Sequence, residues 1–297
     1  MFETKLPIEL YGCILPYVST HDLAIISLVS LTLRREAEPI LYRAITLDCR
    51  SPQTRILCWC DAINGSSRRA LAVRTLSLPA LIAMPMQEDT ERDDILSASL
   101  SSALSKLVNL RQLTLLKHNR FRFFPAPPDK SLPSISPSSI GGFPFRLHDL
   151  AGDFNTFTSN DIWRFLSTQP EIRSWAAGSP AVDCLHLLPP NVLPSLSGVH
   201  LPKINGLKFL TPRPIERLSV RLLGFGIGEC DNDLIHSLFL FKDTLRHLTC
   251  HVDRECYRKE WNAAKFIQSV AETVPHLECL VYYKNSYTNT RVSDISS

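Results

Sequence analysis

The sequence has little surplus charge of either sign. Against 32 Lys and Arg stand 29 Asp and Glu, a net of +3 over 297 residues. That balance gives no electrostatic case for a nucleic-acid partner, whose binders usually carry a strongly basic domain or stripe. Long hydrophobic runs are also missing: no stretch of ~18 or more uncharged apolar residues occurs, so no membrane span is expected. The first residues carry Glu3 and Lys5 and lack an apolar core followed by small residues, which argues against a secretory signal. Nine cysteines, odd in number and scattered, fit reduced thiols in the cytosol or nucleus better than a disulfide framework. Catalytic signatures are lacking too, with no Gly-x-Ser-x-Gly elbow, Walker loop or His-Glu-x-x-His. No cofactor is expected, and an enzyme is the least favoured class.

What is present is globular. With 44% hydrophobic and 21% charged residues, the chain can bury a sizeable core. Its length allows one large domain or two ordinary ones. Three local patterns hint at chemistry and fall short of it. Gly224, Gly226 and Gly228 lie between a strand and a helix, but Glu229 stands where a dinucleotide fingerprint needs another Gly. His247, Cys250, His251 and Cys256 are close in sequence, yet strand alternation sends Cys250 inward and both histidines outward. No second pair at zinc-finger spacing exists, so no metal site is expected. Cys58-Trp59-Cys60 falls on a helix, where neighbours do not share a face.

The N-terminal forty-odd residues read as three short helices. Pro7 suits a first helical turn, where its missing N–H would have no partner anyway. Ile8, Tyr11, Ile14, Leu15 and Val18 recur at three- and four-residue steps and share a face, and Pro16 should kink or end that helix near Leu15. Ser19 with Asp22 predicts an N-terminal cap for a second helix, roughly Asp22 to Leu31. Leu23, Ile25, Ile26, Leu28 and Val29 make it apolar almost all round, so it must bury one face in its own module and another elsewhere. A third helix, about Leu33 to Tyr42, is expected to break at Pro39. So small a core is marginal alone, and capping of the domain that follows remains an alternative reading.

Leu6-Pro7-Ile8-Glu9-Leu10, then Ile14-Leu15, Val18, Asp22-Leu23 and Ser27-Leu28-Val29-Ser30, resemble an F-box over roughly residues 6 to 44. Leu31, Thr32 and Leu33 stand where that family often has a basic or Cys residue and then Trp. The resemblance implies docking on a Skp-type adaptor and, through it, a cullin. It assigns Leu6, Pro7, Ile14, Leu15, Leu23 and Val29 to the adaptor-binding surface or its support.

Behind this module a second pattern returns: apolar, two residues, apolar, one residue, apolar. It occurs at Val73-Leu76-Leu78, Leu110-Leu113-Leu115, Val182-Leu185-Leu187, Leu196-Val199-Leu201, Ile215-Leu218-Val220, Leu245-Leu248-Cys250 and Leu277-Leu280-Tyr282. Ile172-Trp175-Ala177 and the region around Leu147 and Leu150 are weaker copies. This is the strand signature of a leucine-rich repeat, although any α/β domain has Leu-rich strands. Helical periodicity over Thr54–Ile63, Ile95–Leu107, Asp161–Ser167, Asp231–Phe241 and Glu260–Val274 separates several strands, as a solenoid requires. Spacing is irregular around Pro189, Pro190 and Pro194. The Asn that usually closes each strand is matched only at Asn285, with Asp253 a substitute. Phe165-Leu166-Ser167-Thr168-Gln169-Pro170-Glu171-Ile172-Arg173 and Leu193-Pro194-Ser195-Leu196 are similar to recurrent stretches in basidiomycete-type F-box proteins with eroded repeats.

Gln87 to Asp94 reads as an exposed acidic loop before a helix. Asn119 to Arg146, rich in Pro and Ser, reads as a long loop or binding segment. Phe121, Phe123, Phe124, Phe143 and Phe145 at its ends are expected to fold back onto the core. The expected architecture is therefore α/β. A three-helix F-box-like module (1–48) and a linking helix (49–72) precede an irregular βα solenoid with a curved parallel sheet (73–285). The loop at 119–146 interrupts the solenoid and a polar tail follows at 286–297.

In that frame the outward strand residues include Thr75 and Ser77, Gln112 and Thr114, then His186 and His200. Later strands present Arg217, Ser219 and Arg221, then His247, Thr249 and His251, then Cys279, Val281 and Tyr283. Arg217, Arg221, His247, His251 and Tyr283 are the candidate cargo-binding residues, suited to carboxylate or phosphate. Two functions remain open. One is a substrate receptor holding an unknown protein for a cullin-type ubiquitin ligase; the other is a repeat scaffold whose F-box-like helices bind no adaptor.

Overall fold

A computed structural model describes residues 7–47, 53–79, 90–116, 143–152, 159–178, 185–222, 229–252 and 263–284. The chain divides into two compact units, Met1–Ile172 and Arg173–Ser297. Both are α/β with parallel strands, an arrangement compatible with a βα solenoid.

The first unit opens with helix α1 (Ile8–Ile14), a 3₁₀ turn (Leu15–Tyr17), α2 (Thr20–Val29) and α3 (Leu31–Leu41). Pro16 ends α1 as expected, because Pro lacks the N–H that would continue the helix. Ser19 caps α2: its Oγ accepts from the Asp22 amide at 3.1 Å and donates to Asp22 Oδ2 at 2.7 Å. Ser30 caps α3 in the same way through Leu33 N. Contrary to expectation, α3 does not break at Pro39. Pro39 lies in the last turn, so only one intrahelical bond is lost, and Tyr42 N still donates to Glu38 O at 3.0 Å.

Strand β1 (Ala44–Thr46) follows directly, a feature the sequence pattern missed. Helices α4 (Gln53–Asn64) and α5 (Ser67–Ala72) lead to β2 (Thr75–Pro79). Then come α6 (Thr90–Leu104), β3 (Gln112–Leu116), β4 (Asp149–Gly152) and α7 (Ser159–Ser167). Helix α6 begins at Thr90, inside the stretch expected to be an acidic loop. The four strands pair in chain order, all parallel. Gly152, at φ +144°, is needed where β4 approaches β3, since a Cβ there would sit 2.6 Å from Leu115 Cβ.

The second unit holds β5 (Ser174–Ala177), β6 (Gly198–Leu201), β7 (Arg217–Leu222), α8 (Glu229–Phe239), β8 (His247–Val252), α9 (Ala263–Thr273) and β9 (Cys279–Lys284). Its five strands are again parallel and in chain order. The expected copy at Val182-Leu185-Leu187 is not a strand. Leu185–Leu187 form a 3₁₀ turn ahead of Pro189 and Pro190, which have no N–H to give a ladder. Val182 lies outside the described residues.

The repeat is written in the backbone as well as in the leucines. Ahead of seven strands, one carbonyl accepts two successive amides from the next repeat. Arg43 O takes Arg74 N at 2.9 Å and Thr75 N at 3.0 Å, and Arg74 O and Arg111 O repeat this in the first unit. Arg173, Ser197, Glu216 and Arg246 carbonyls do the same in the second. The apolar positions of the pattern face inward. Val73, Leu76 and Leu78, then Leu196, Val199 and Leu201, then Ile215, Leu218 and Val220 are all buried, each contributing about 1.5–3 kcal/mol. Phe143 and Phe145 are buried and stacked at 5.2 Å, as expected of that segment's end.

Two polar side chains complete backbone that no strand reaches. Gln169 is fully buried: its Oε1 accepts from Leu147 N at 2.9 Å and its Nε2 donates to Phe145 O at 3.3 Å. Gln169 thereby has a structural role, closing an irregular segment as a neighbouring strand would. Arg213 does similar work in the second unit. Its guanidinium donates to the carbonyls of Pro189, Phe209 and Val192 at 2.8–2.9 Å.

Candidate docking surfaces

The helical module has a closed core and an open face. Leu15, Leu23 and Ala37 form the core, with Tyr11, Val18, Ile26, Ile40 and Leu41 packed against it. Other large apolar side chains of these helices are exposed. Leu10 and Ile14, four residues apart, share one face of α1, and Ile25, Leu28 and Val29 share one face of α2. Of the fifteen exposed large hydrophobics among the described residues, seven lie between Leu10 and Leu31. Tyr17 at 91%, Leu28 at 75%, Leu31 at 70% and Val29 at 68% are the most open of these. A concentration of that kind is the mark of an interaction surface.

The residues assigned to adaptor binding thus separate. Ile14 and Val29 are on the open face, and Pro7 is exposed at the start of α1. Leu15 and Leu23, each only 3% exposed, are core residues that can only support the surface. Leu6 lies outside the described residues. Leu10, Tyr17, Ile25, Leu28 and Leu31 are exposed as well; the resemblance does not assign them to adaptor binding, although the all-round apolar pattern of α2 already includes Ile25 and Leu28.

The second surface is the outer face of β5–β9. The alternating burial of β7 and β8 turns Arg217, Ser219 and Arg221, and then His247, Thr249 and His251, away from the core. Parallel register sets them in rows: Arg217 beside His247 and Cys279, and Arg221 beside His251 and Tyr283. His200 on β6 pairs with Ser219, their Nδ1 and Oγ 2.8 Å apart. The His251 and Tyr283 rings stack at 5.1 Å, and His200 meets His251 edge-on at 5.9 Å. A shallow groove of about 300 Å³ crosses β5–β8 beside Arg217, His200 and His247. All five candidate cargo residues therefore share one face. His186 does not join them, being placed on the 3₁₀ turn against the Phe209 ring. Gly224, Gly226, Gly228, Asp253, Cys256 and Asn285 lie outside the described residues, as does most of the stretch 119–146 expected to be a loop, with Phe121, Phe123 and Phe124.

Burial, then the neighbouring His251, holds His200 below its ordinary value; burial, then Arg221, does the same to His251. Both rings therefore favour the neutral form more than a free imidazole does and contribute hydrogen-bonding atoms to the face. A depressed folded-state pKa means that the unfolded chain takes up these protons first, so stability falls as pH drops below about 6.5. The loss in melting temperature between pH 7.5 and 5.5 should be smaller in a His200→Phe/His251→Phe variant than in the parent. An equal loss in both would show that these rings do not titrate as stated.

Among the described residues, no helix is long and apolar enough to cross a membrane. No family model matches the chain, and no curated protein shows significant similarity to it.

Proposed function

We propose that the chain is the substrate-receptor subunit of a cullin-type ubiquitin ligase. In this reading α1–α3 are an F-box that docks a Skp-type adaptor, and the strands behind them are an eroded leucine-rich-repeat solenoid. The repeat surface holds a target protein close to a ubiquitin-charged enzyme. Rate is gained through proximity alone, and the chain itself makes and breaks no bond. The observation that carries the proposal is the cluster of seven exposed apolar side chains between Leu10 and Leu31, on the segment whose sequence resembles an F-box.

The decisive test is co-purification of the full chain with a Skp-type adaptor. Leu28→Asp with Val29→Asp should reduce adaptor capture at least tenfold while leaving the circular-dichroism melt unchanged, because both side chains are already in water. Leu23→Asp is unsuitable, since it would place a charge in the module core and unfold it. Failure of the parent chain to bind an adaptor would sink the proposal and leave the repeat-scaffold reading in its place.

A further inference from the structure

We propose that Arg43 and Arg74, at the strand starts of the first unit, clamp an acidic side chain of a partner protein. The proposal goes beyond the receptor reading and does not depend on it.

The residues immediately before β1, β2, β3 and β4 are Arg43, Arg74, Arg111 and His148, a basic row running across the strands. Backbone bonds hold the row together. Arg74 N donates to Arg43 O at 2.9 Å, Arg111 N to Arg74 O at 2.8 Å and His148 N to Arg111 O at 2.7 Å. Adjacent members are therefore one strand spacing apart, about 4.8 Å. Two neighbouring side chains can meet at one carboxylate.

One half of the row is already closed in that way. Glu171, in the turn after α7, places Oε2 3.3 Å from Arg111 Nη1 and 3.4 Å from His148 Nε2. The other half is open. Arg43 and Arg74 are exposed, and neither side chain has an ion pair or hydrogen bond with another described residue.

The difference traces to one residue. Glu171 stands two positions ahead of Arg173, the residue before β5, and it bridges the row members of the two strands that precede β5 in the chain. Counted in the same way from Arg111, before β3, the position is Asn109, and the two preceding row members are Arg43 and Arg74. Asn109 carries no charge, and its Nδ2 donates to Leu71 O at 2.8 Å. The carboxylate that one pair receives from the chain is thus withheld from the other.

Charge complementarity then names the occupant. Arg43 and Arg74 are like charges held side by side, and a carboxylate reaching both would accept charge-assisted hydrogen bonds from two guanidinium groups. The charge around them is positive as well, since Arg68 and Arg69 on the helix leading to β2 share the single carboxylate of Glu38. The group that closes the other half of the row is a glutamate, so the side chain assigned to this half is Asp or Glu.

The test is fluorescence anisotropy of the full chain with a labelled peptide of alternating Glu and Ser. Control peptides replace all Glu by Gln, without or with one Ser phosphorylated. The Glu peptide should bind best and weaken as ionic strength rises from about 50 to 200 mM. Arg43→Gln with Arg74→Gln should reduce its affinity about tenfold with the melt unchanged, because both side chains are already in water. Asn109→Glu should reduce it about fivefold, as an internal carboxylate takes the place of the peptide's, whereas Asn109→Gln should keep it within about twofold. Equal binding of the Gln peptide, tighter binding of the phosphorylated one, undiminished binding by the Arg variant, or equal effects of the two Asn109 substitutions would each overturn the proposal. Adaptor capture with the Leu28→Asp/Val29→Asp variant reports separately on the receptor reading, so the two fail independently.

Discussion

Replacing Arg213 by Met is expected to cost the second unit about 3–5 kcal/mol, although Arg213 lies on neither docking surface. The side chain is 4% exposed, and its three hydrogen bonds run to backbone carbonyls rather than to a carboxylate. Those carbonyls belong to the least regular part of the unit, between Leu185 and Ile215, where short 3₁₀ turns replace the helices of other repeats. The Val192 carbonyl precedes Leu193, a buried non-glycine residue at φ +57°, a conformation that persists only where the surroundings impose it. Met would fill part of the volume and leave three buried acceptors orphaned, each costing about 1–3 kcal/mol. Release of the guanidinium from burial, which pulls its pKa down, returns part of that sum.

Lys at 213 could satisfy some of the carbonyls from a single ammonium but cannot reproduce the planar fork, so it should recover less than half of the loss. Hydrogen exchange followed by mass spectrometry would localise the effect. Peptides over residues 185–222 should lose protection while those over residues 53–79 keep it. A change below about 1 kcal/mol would show that water replaces the guanidinium at little cost.

Residues such as Arg213 mark the boundary of what the sequence discloses. The inward positions of Val73-Leu76-Leu78 or Ile215-Leu218-Val220 are legible because strand alternation is local, and neighbouring residues suffice to state it. By the same logic, Arg217, Arg221, His247, His251 and Tyr283 could be placed on one face before their strands were seen together. The logic fails where the apolar spacing is present but the backbone cannot use it, as at Leu185-Leu187 ahead of two prolines. It also fails where a strand is too short to show a period: β1 has three residues, of which only Ile45 is half-buried. Gln169 and Arg213 are beyond its reach for another reason. All of these partners but Phe209 lie some twenty residues away, and nothing in spacing says which buried carbonyl will lack a strand. Leu15 and Leu23 illustrate a third limit. A family resemblance gives the importance of a position without separating the side chain that touches a partner from the one beneath it.

The buried Glu38 allows the sharper of the two stability predictions, because its sign depends on which side of an ion pair is removed. Glu38 on α3 is 5% exposed and is held by Arg68 and Arg69 of α5. Arg69 donates to Oε1 through Nε at 3.2 Å and Nη2 at 2.9 Å and also lies over the Tyr42 ring. Burial pushes the Glu38 carboxyl up, but the hydrogen bonds from Arg69 and Arg68 outweigh it and hold it below the usual carboxylate range. The arginine side chains are 43% and 32% exposed, so without the carboxylate both can turn to water. Glu38→Gln should therefore cost only about 1–2 kcal/mol. Arg68→Met with Arg69→Met strands a buried carboxylate and should cost about 3–5 kcal/mol.

Two further readouts separate stranded charge from lost packing. In the parent, the depressed Glu38 pKa makes the pair's contribution full above about pH 4.5 and lost as pH falls through the folded-state value. In the double Met variant only burial remains, which raises the carboxyl, so acidification toward pH 5 should protonate it and shrink the deficit relative to the parent. Adding Glu38→Gln to that variant should restore much of the loss at pH 7. No recovery by either route would assign the cost to the arginine stems packed around Tyr42. The clamp ties α3 of the helical module to the helix leading into β2. Its strength therefore decides whether a partner docked on α1–α3 is held firmly to the strands of the same unit or only tethered to them.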